Sequence, residues 1–167
     1  MIKFESFFAV LNKNRVRYLV IGGIAVNLYG IERATADIDL FVELEKGNIN
    51  RFVKAVREAG LKPKAPVRLE DFADPDKRNA WRIEKGMIAF SLFDPKNSFF
   101  LLDVLTESPV DFKKAFSERS VRRAGRVVIP VASLEDLIRM KKASGRAQDE
   151  ADVFYLKRIL KGWKDEG

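Results

Sequence analysis

Apolar residues recur along the chain with two spacings, one typical of α-helices and the other of buried β-strands. Residues 4–12 and 48–59 carry apolar side chains at helical spacing, which predicts two amphipathic helices. Residues 17–21 and 38–43 are rich in β-branched and aromatic side chains, which predicts two strands. A short helix is expected over 24–29, between these strands. The first third of the chain therefore predicts helices and strands in alternation.

The rest of the chain predicts further strands, followed by helices. Strands are expected at 81–83, 87–93, 99–105 and 127–131. Helices are expected at 112–116, from the capping residue Ser133 onwards, and over 147–161. Residues 62–77 contain three prolines and many charges, which predicts an irregular, mobile loop.

This order of elements predicts a mixed α/β (α+β) fold in a single domain. A mixed sheet flanked by helices would occupy residues 1–132, and a C-terminal helical hairpin over 133–167 would pack against it. A chain of 167 residues has the length of one ordinary domain, and its 47% hydrophobic content can form a substantial core. Apolar residues on the final helix would also suit a homodimer.

The composition excludes several kinds of chemistry. The chain contains no cysteine and no histidine, so disulfides, cysteine-ligated zinc, histidine general bases and Ser-His-Asp triads cannot form within it. Any metal must be held by Asp, Glu and main-chain oxygens, and these hard ligands favour Mg2+ or Mn2+.

Charge and hydropathy bear on partners and location. The net charge of +7 gives a surface that attracts polyanions, or simply a lysine-rich soluble surface. No apolar run approaches the roughly 20 residues that span a bilayer, and the N-terminal segment lacks the pattern of a signal peptide. We therefore expect a cytoplasmic protein with no membrane partner.

Two aspartates at the start of the second predicted strand are the most informative feature of the chain. Asp37 and Asp39 are separated by one residue, and residues i and i+2 of a strand project from the same face. Their carboxylates are therefore expected close enough to hold the same metal ion. Hard divalent cations prefer carboxylate oxygens, and phosphoryl transfer requires such charge neutralisation. The pair indicates a nucleotide-handling enzyme.

A two-metal site for nucleotidyl transfer needs a third carboxylate, for which Asp103 is the candidate. It lies in the otherwise apolar strand expected over 99–105, where a charge is costly unless it is paired or bound to metal. If this strand lies beside the strand of Asp37 and Asp39, the three carboxylates converge. An exposed aspartate at a strand end is the alternative interpretation.

The glycine pair Gly22-Gly23 lies between a predicted strand and a predicted helix. Glycines at such a turn let the backbone approach a phosphate, and the helix N-terminus offers unpaired amides to it. The pair is not a P-loop, because no Lys-Ser or Lys-Thr follows it. A simple tight turn is the alternative interpretation of a lone Gly-Gly pair.

In combination, these motifs resemble the signature of a known superfamily. Gly22-Gly23, the segment Arg-Ala-Thr-Ala-Asp-Ile-Asp-Leu over 33–40, and the later Asp103 are similar to the DNA polymerase β-type nucleotidyltransferases. Residues 140–152 resemble the Lys…Arg-x-Lys-Asp-x-x-Asp helix-turn-helix of minimal nucleotidyltransferases. These include the nucleotidyltransferase-like toxins of abortive-infection toxin–antitoxin systems. Gln148 departs from this pattern, which more often has Lys there.

The resemblance implies a role for each matching residue of the first motif. Gly22 and Gly23 would cradle the triphosphate. Asp37 and Asp39 would bind both metals. Asp103 would ligate the catalytic metal and help to activate the attacking hydroxyl.

The remaining matches would bind nucleotide or support the site. The further nucleotide-binding candidates are Arg33, Thr35, Lys141 and Arg146, and the supporting candidates are Asp149 and Asp152. Two alternatives stay open. Arg33 could instead pair with a neighbouring carboxylate, and the group of Arg146, Asp149 and Asp152 could be a salt-bridge cluster or a capping network that holds the last helix.

As a whole, the resemblance implies a nucleotidyltransferase-fold core and a metal-dependent enzyme. The enzyme would transfer an NMP from an NTP, such as ATP, to an acceptor hydroxyl with two Mg2+ or Mn2+ ions as cofactors. The acceptor would be tRNA, a protein or a small molecule, and a toxin would have an antitoxin as its partner. The alternative is a catalytically inactive nucleotide- or nucleic-acid-binding module of the same fold, and the complete set of three carboxylates argues against it.

Overall fold

The computed structural model describes residues 3–32, 37–144 and 147–166. The helices within these residues are α1 (Phe4–Lys13), α2 (Gly22–Leu28), α3 (Lys46–Glu58), α4 (Pro75–Lys85), α5 (Phe112–Ser117), α6 (Leu134–Ser144) and α7 (Ala147–Glu166), with a 3-10 helix at Leu69–Ala73. The strands are β1 (Tyr18–Ile21), β2 (Asp37–Val42), β3 (Lys62–Pro63), β4 (Ala89–Asp94), β5 (Asn97–Leu105), β6 (Ser120–Ala124) and β7 (Val127–Val131). Among these residues, no helix is both long enough and apolar enough to cross a membrane.

The described strands form one mixed sheet in the order β3-β4-β5-β2-β1-β7-β6. Strand β2 lies at its centre, antiparallel to β1 and parallel to β5. Strand β7 is parallel to β1, and the β3–β4, β4–β5 and β6–β7 pairs are antiparallel. The predicted mixed α/β fold is therefore confirmed.

The two faces of the central strands differ in burial. Along β2, Ile38 and Leu40 are fully buried, whereas Asp37 and Asp39, which alternate with them, are half-buried. Strands β4 and β5 show the same alternation, because their buried residues alternate with partly exposed ones. Alternate side chains of a strand point to opposite faces. One face of this part of the sheet therefore belongs to the core, and the other, which we call the open face, carries Asp37 and Asp39.

Aromatic rings join the core face to the helices that cover it. The Phe90 ring of β4 stacks on Phe72 of the 3-10 helix, with 5.1 Å between ring centroids, and on Trp81 of α4, at 5.2 Å. The Phe100 ring of β5 meets Phe7 of α1 edge-on at 5.5 Å. Such ring pairs contribute beyond the area that they bury. They hold β4 and β5 with their other face away from the core.

One buried side chain ties the beginning of β1 to the end of β2. The Asn48 amide nitrogen donates to the carbonyls of Arg17 and Glu43, at 3.0 and 2.8 Å, and its oxygen accepts from the Arg17 amide at 2.8 Å. Every one of these bonds joins the first turn of α3 to the strand pair. Asn48 is fully buried, so these bonds are shielded from competing water.

Two predictions for residues 62–85 were wrong. The expected strand at 81–83 lies inside α4, and the expected loop at 62–77 forms β3, the 3-10 helix and the beginning of α4. The boundary signals of α4 are nevertheless present in the sequence: Asp74 caps it by accepting from the Asp76 amide, Pro75 occupies its first turn, and Gly86 ends it at φ 62°. Trp81 and Ile83 are of types favoured in strands, but these boundary signals place them inside a helix.

The strand β6 was not expected from the sequence. It pairs with β7 across a hairpin whose turn contains Gly125 at φ 60°. Two of its five residues are arginines, and only alternate positions are exposed. It lies at the edge of the sheet and contains no apolar run, so a search for apolar runs overlooks it.

Helices α6 and α7 share the core of the sheet. Leu134 and Leu137 of α6 and Leu156 of α7 are buried in the same hydrophobic cluster as the strands. The main-chain amide of Ala132 donates to the carbonyl of Val20 at 3.1 Å, which joins the approach to α6 to β1. The boundary drawn between residues 132 and 133 stays a prediction.

Candidate active site

The parallel pairing of β2 with β5 sets two aspartates opposite each other. Asp39 is the register partner of Asp103, and Asp37 is the partner of Leu101. Neighbouring strands lie about 4.8 Å apart, and register partners project from the same face. Asp39 and Asp103 are both half-buried on the open face, and Asp37 lies two residues before Asp39 on that face. The strand of Asp103 thus lies beside the Asp-x-Asp strand.

A serine extends this row onto a third strand. Ser91 of β4 is the register partner of Asp103, and its hydroxyl donates to Asp103 Oδ1 at 2.5 Å. The open face therefore presents Asp39, Asp103 and Ser91 in line across β2, β5 and β4. Ser91 was not among the site residues predicted from the sequence. The available signal was that Ser91 is the single polar residue in the strand expected over 87–93.

Gly22 lies against Asp39 on the side of β1. It follows Ile21, the β1 register partner of Asp39, and its φ of +68° lies in the left-handed region that favours glycine. A Cβ built at this position would overlap Asp39 Oδ2 and lie 2.8 Å from Asp39 Cγ. The Asp39 carboxylate therefore occupies the space that any side chain at position 22 would fill.

Gly22 and Gly23 form the first turn of α2, directly after β1. Gly23 is buried. The turn between a strand and a helix that the sequence predicted is thus present, and it adjoins Asp39 through Gly22. The binding of a triphosphate at this turn stays a prediction.

The donor set of the open face fits a hard divalent cation. The side chains of Asp39, Asp103 and Ser91 offer only carboxylate and hydroxyl oxygens as ligands. Gly22 has no side chain, which leaves room for the Asp39 carboxylate beside β1. Within residues 3–32, 37–144 and 147–166, no three Asp or Glu side chains are already gathered as a metal-ligand cluster. Metal binding would therefore require Asp37, Asp39 and Asp103 to turn their oxygens towards a shared ion.

The predicted residues of the C-terminal motif meet at the junction of α6 and α7. The Lys141 ammonium donates to Asp152 Oδ2 at 2.8 Å and to Asp149 Oδ1 at 3.3 Å. Lys141 is 7% exposed, Asp149 1% and Asp152 5%. A lysine that is buried between two carboxylates holds two helices together, which supports the structural alternative for Asp149 and Asp152. Contact of Lys141 with a nucleotide stays a prediction.

Three of the predicted site residues lie outside the described part of the chain. They are Arg33, Thr35 and Arg146. Their roles as nucleotide-binding residues remain sequence-based predictions.

The arginines of β6 and its neighbourhood serve partly as structural contacts. The Arg122 guanidinium lies over the Tyr29 ring at 4.9 Å, and its Nε donates to the Leu28 carbonyl at 3.0 Å. Burial raises the pKa of Tyr29, and the Ser120 hydroxyl and Arg122 oppose this by lowering it. The Tyr29 hydroxyl donates to the Ala132 carbonyl at 2.7 Å. Arg122 thus fixes the end of α2 rather than facing solvent freely.

A basic groove of about 690 Å³ lies away from the carboxylates, between α1 and the β6–β7 hairpin. Lys13, Arg119 and Arg126 line it, and its lining residues include no Asp or Glu. Three of the 31 lysines and arginines of the chain thus lie along this groove. It contains none of the residues predicted for the nucleotidyl-transfer site.

Comparison with known proteins identifies related sequences and folds. A family model described as "Nucleotidyltransferase of unknown function (DUF6036)" matches residues 4–158. No curated protein matches the chain.

Two solved structures share the fold over nearly the whole chain. One is the lincosamide antibiotic adenylyltransferase LnuA with bound lincomycin, at 18% identity and a TM-score of 0.58, covering 95% of this chain and 98% of that one. The other is ANT(2")-Ia in complex with adenylyl-2"-tobramycin, at 14% identity and a TM-score of 0.59, covering 96% of this chain and 88% of that one. A solution structure of ANT(2'')-Ia matches similarly, at 12% identity and a TM-score of 0.55, with 96% and 88% coverage.

We predict that Gly22→Ala disturbs Asp39 specifically. Alanine at a positive φ costs about 1 kcal/mol wherever it is placed, but at position 22 its Cβ must also displace the Asp39 carboxylate. Gly86→Ala is the matched control, because Gly86 has a φ of +62° and open space where its Cβ would be. In urea titrations we expect Gly22→Ala to lower the free energy of unfolding by more than Gly86→Ala does. Equal losses would contradict the close packing of Gly22 against Asp39.

A second prediction concerns Lys141. Lys141→Met leaves two buried carboxylates without their shared ammonium, and breaking a buried ion pair in this way costs about 3–5 kcal/mol. The neighbouring Lys142 is exposed, so Lys142→Met should change the free energy of unfolding by less than about 0.5 kcal/mol. Chemical denaturation of both variants measures the difference. A Lys141→Met protein as stable as the control would show that Lys141 does not hold the two helices.

Proposed function

The chain belongs to the nucleotidyltransferase family DUF6036, and from this premise we propose that it transfers AMP from ATP to a hydroxyl of a small molecule. Membership of the family makes it an enzyme of the nucleotidyltransferase class. The donor nucleotide, the cations and the acceptor are the parts that the proposal adds.

The observation that carries the proposal is the register of β2 with β5. Asp39 lies opposite Asp103, and Asp37 precedes Asp39 by two residues on the same face. The superfamily that the sequence resembles draws its carboxylates from this combination, an Asp-x-Asp pair and a third aspartate on a neighbouring strand. The retention of all three supports turnover over an inactive binding module.

The three aspartates have separate parts in the proposed reaction. Asp37 and Asp39 would hold both of two Mg2+ or Mn2+ ions, and Asp103 would hold the catalytic one. When bound, such ions neutralise phosphate charge and lower the pKa of the attacking hydroxyl. Asp103 also lies on the open face, where its carboxylate can accept the proton of that hydroxyl. The acceptor oxygen then bonds to the α-phosphorus, and the bond to the pyrophosphate oxygen breaks.

A small-molecule acceptor is supported by the two structures with the same fold. LnuA is named as a lincosamide antibiotic adenylyltransferase, and ANT(2")-Ia was solved with adenylyl-2"-tobramycin. Their likeness to this chain extends over almost the full length of each protein. We therefore propose an acceptor of that chemical kind, a hydroxyl-bearing molecule of the size of an antibiotic. The expectations of a tRNA or protein acceptor, a toxin role, an antitoxin and a homodimer rest on the sequence alone and stay predictions.

The test is nucleotidyl transfer from α-32P-labelled NTPs in the presence of Mg2+ or Mn2+. The acceptors offered would be a lincosamide, an aminoglycoside and bulk tRNA, and labelled products would be separated by chromatography. We expect label from ATP on a small molecule. Label on tRNA alone would overturn the proposed acceptor while leaving the reaction class intact.

Substitution of the aspartates tests the site itself. We expect Asp39→Asn and Asp103→Asn each to reduce transfer by more than about 100-fold, the upper end of what loss of a supporting residue costs. Asp76→Asn is the matched control, because Asp76 is exposed at the beginning of α4, and its activity should equal that of the wild type. An active Asp39→Asn protein would refute the proposed mechanism.

A further inference from the structure

We propose that Ser91 is a positioning residue for Asp103, the third carboxylate of the site. This inference rests on the proposed nucleotidyl transfer and extends it to a strand that the Asp-x-Asp motif does not include. Ser91 would act through Asp103 and would not itself contact the reacting atoms.

The hydrogen bond between Ser91 and Asp103 is short and has one direction. The separation of Ser91 Oγ from Asp103 Oδ1 is 2.5 Å, at the short end of the range for a hydroxyl bound to a carboxylate. An ionised carboxylate only accepts, so the serine hydroxyl is the donor. Among the described residues, Ser91 is the one hydrogen-bond partner of the Asp103 side chain that the structure shows.

The strand that carries Ser91 is rigidly held. Phe90 and Leu92, on either side of Ser91, are both fully buried, and the Phe90 ring lies against Phe72 and Trp81. Rotation or slippage of β4 would take these side chains out of the core. The Ser91 hydroxyl is thus a donor of fixed position, as a residue that orients another side chain must be.

The bond selects which oxygen of Asp103 is left for chemistry. Because Oδ1 accepts from Ser91, the carboxylate is restrained, and Oδ2 is the oxygen that Ser91 leaves available. The other residues of β4 on the open face are Ala89 and Phe93, neither of which has a side chain that can donate. Without the Ser91 hydroxyl, the Asp103 carboxylate loses the hydrogen bond that holds its Oδ1 on the β4 side and leaves Oδ2 for the side of Asp39.

Ser91→Ala tests the proposal, with Ser91→Thr as the rescue. We expect Ser91→Ala to lower kcat by about 10- to 100-fold, as loss of an orienting partner typically does, without a comparable rise in the KM for the NTP. Threonine keeps the hydroxyl and suits a strand, so Ser91→Thr should recover most of the activity. Ser117→Ala is the matched control, since the Ser117 hydroxyl donates to the Lys114 carbonyl at 2.7 Å in α5 and removal of that bond should leave kcat unchanged.

A second readout does not depend on turnover. Binding of Mn2+ in the presence of a non-hydrolysable ATP analogue can be followed by electron paramagnetic resonance. We expect Ser91→Ala to weaken Mn2+ binding by about 10-fold or more, and Ser91→Thr and Ser117→Ala to bind as the wild type does. Thermal melting of each variant separates this effect from a loss of folding. Ser91→Cys, whose thiol is a much weaker hydrogen-bond donor than a hydroxyl, should resemble Ser91→Ala.

The outcomes separate the two proposals. Wild-type levels of kcat and Mn2+ binding in a folded Ser91→Ala protein would overturn the role of Ser91 and leave the proposed function standing. Equal defects in Ser91→Ala and Ser91→Thr would also overturn it, because the hydroxyl would then not be the cause. A wild-type protein that transfers no nucleotide and binds no Mn2+ would overturn the proposed function and the role of Ser91 together.

Discussion

The register of β2 against β5 is the constraint on which the proposed site depends. Side chains in a strand alternate between faces, so a slip of one residue would carry Asp39 or Asp103 into the core. The fully buried Ile38 and Leu40 on β2, and Leu102 and Val104 on β5, oppose such a slip. Burial of an unpaired carboxylate would add a further penalty of several kcal/mol. The same apolar residues that build the core therefore hold the carboxylates on the open face.

Three features around this strand pair determine where the aspartate side chains lie. Asn48 ties the beginning of β1 to the end of β2, which supports the register that places Asp39 opposite Ile21. Gly22 has no side chain, which leaves room for the Asp39 carboxylate. Ser91 orients Asp103 from the other side. The open face is thus built from backbone pairing, one absent side chain and one hydroxyl, and none of these needs histidine or cysteine.

Much of the fold and of the carboxylate row could be predicted from the sequence, because the signals lie within single helices and strands. Asp37 and Asp39 stand two apart in a strand, and Asp103 is the single charge in an apolar one. Other features depended on distant partners. Ser91 is informative only once β4 is known to pair with Asp103, and Lys141 could not be placed between Asp149 and Asp152 without the angle between α6 and α7. The strand expected at 81–83 was wrong for a different reason. Trp81 is buried on one face of α4, so its apolar side chain serves the packing of a helix.

The central claim is that the Asp-x-Asp pair and its partner strand form a nucleotide site that requires a divalent cation. A thermal-shift comparison of wild type and Asp39→Ala with each of the four NTPs, with and without Mg2+ or Mn2+, tests it most directly. A ligand that binds only the native state raises the melting temperature by mass action. The account predicts a cation-dependent shift with ATP in the wild type that disappears in Asp39→Ala. A shift of equal size in both proteins would contradict it, because the nucleotide would then bind elsewhere.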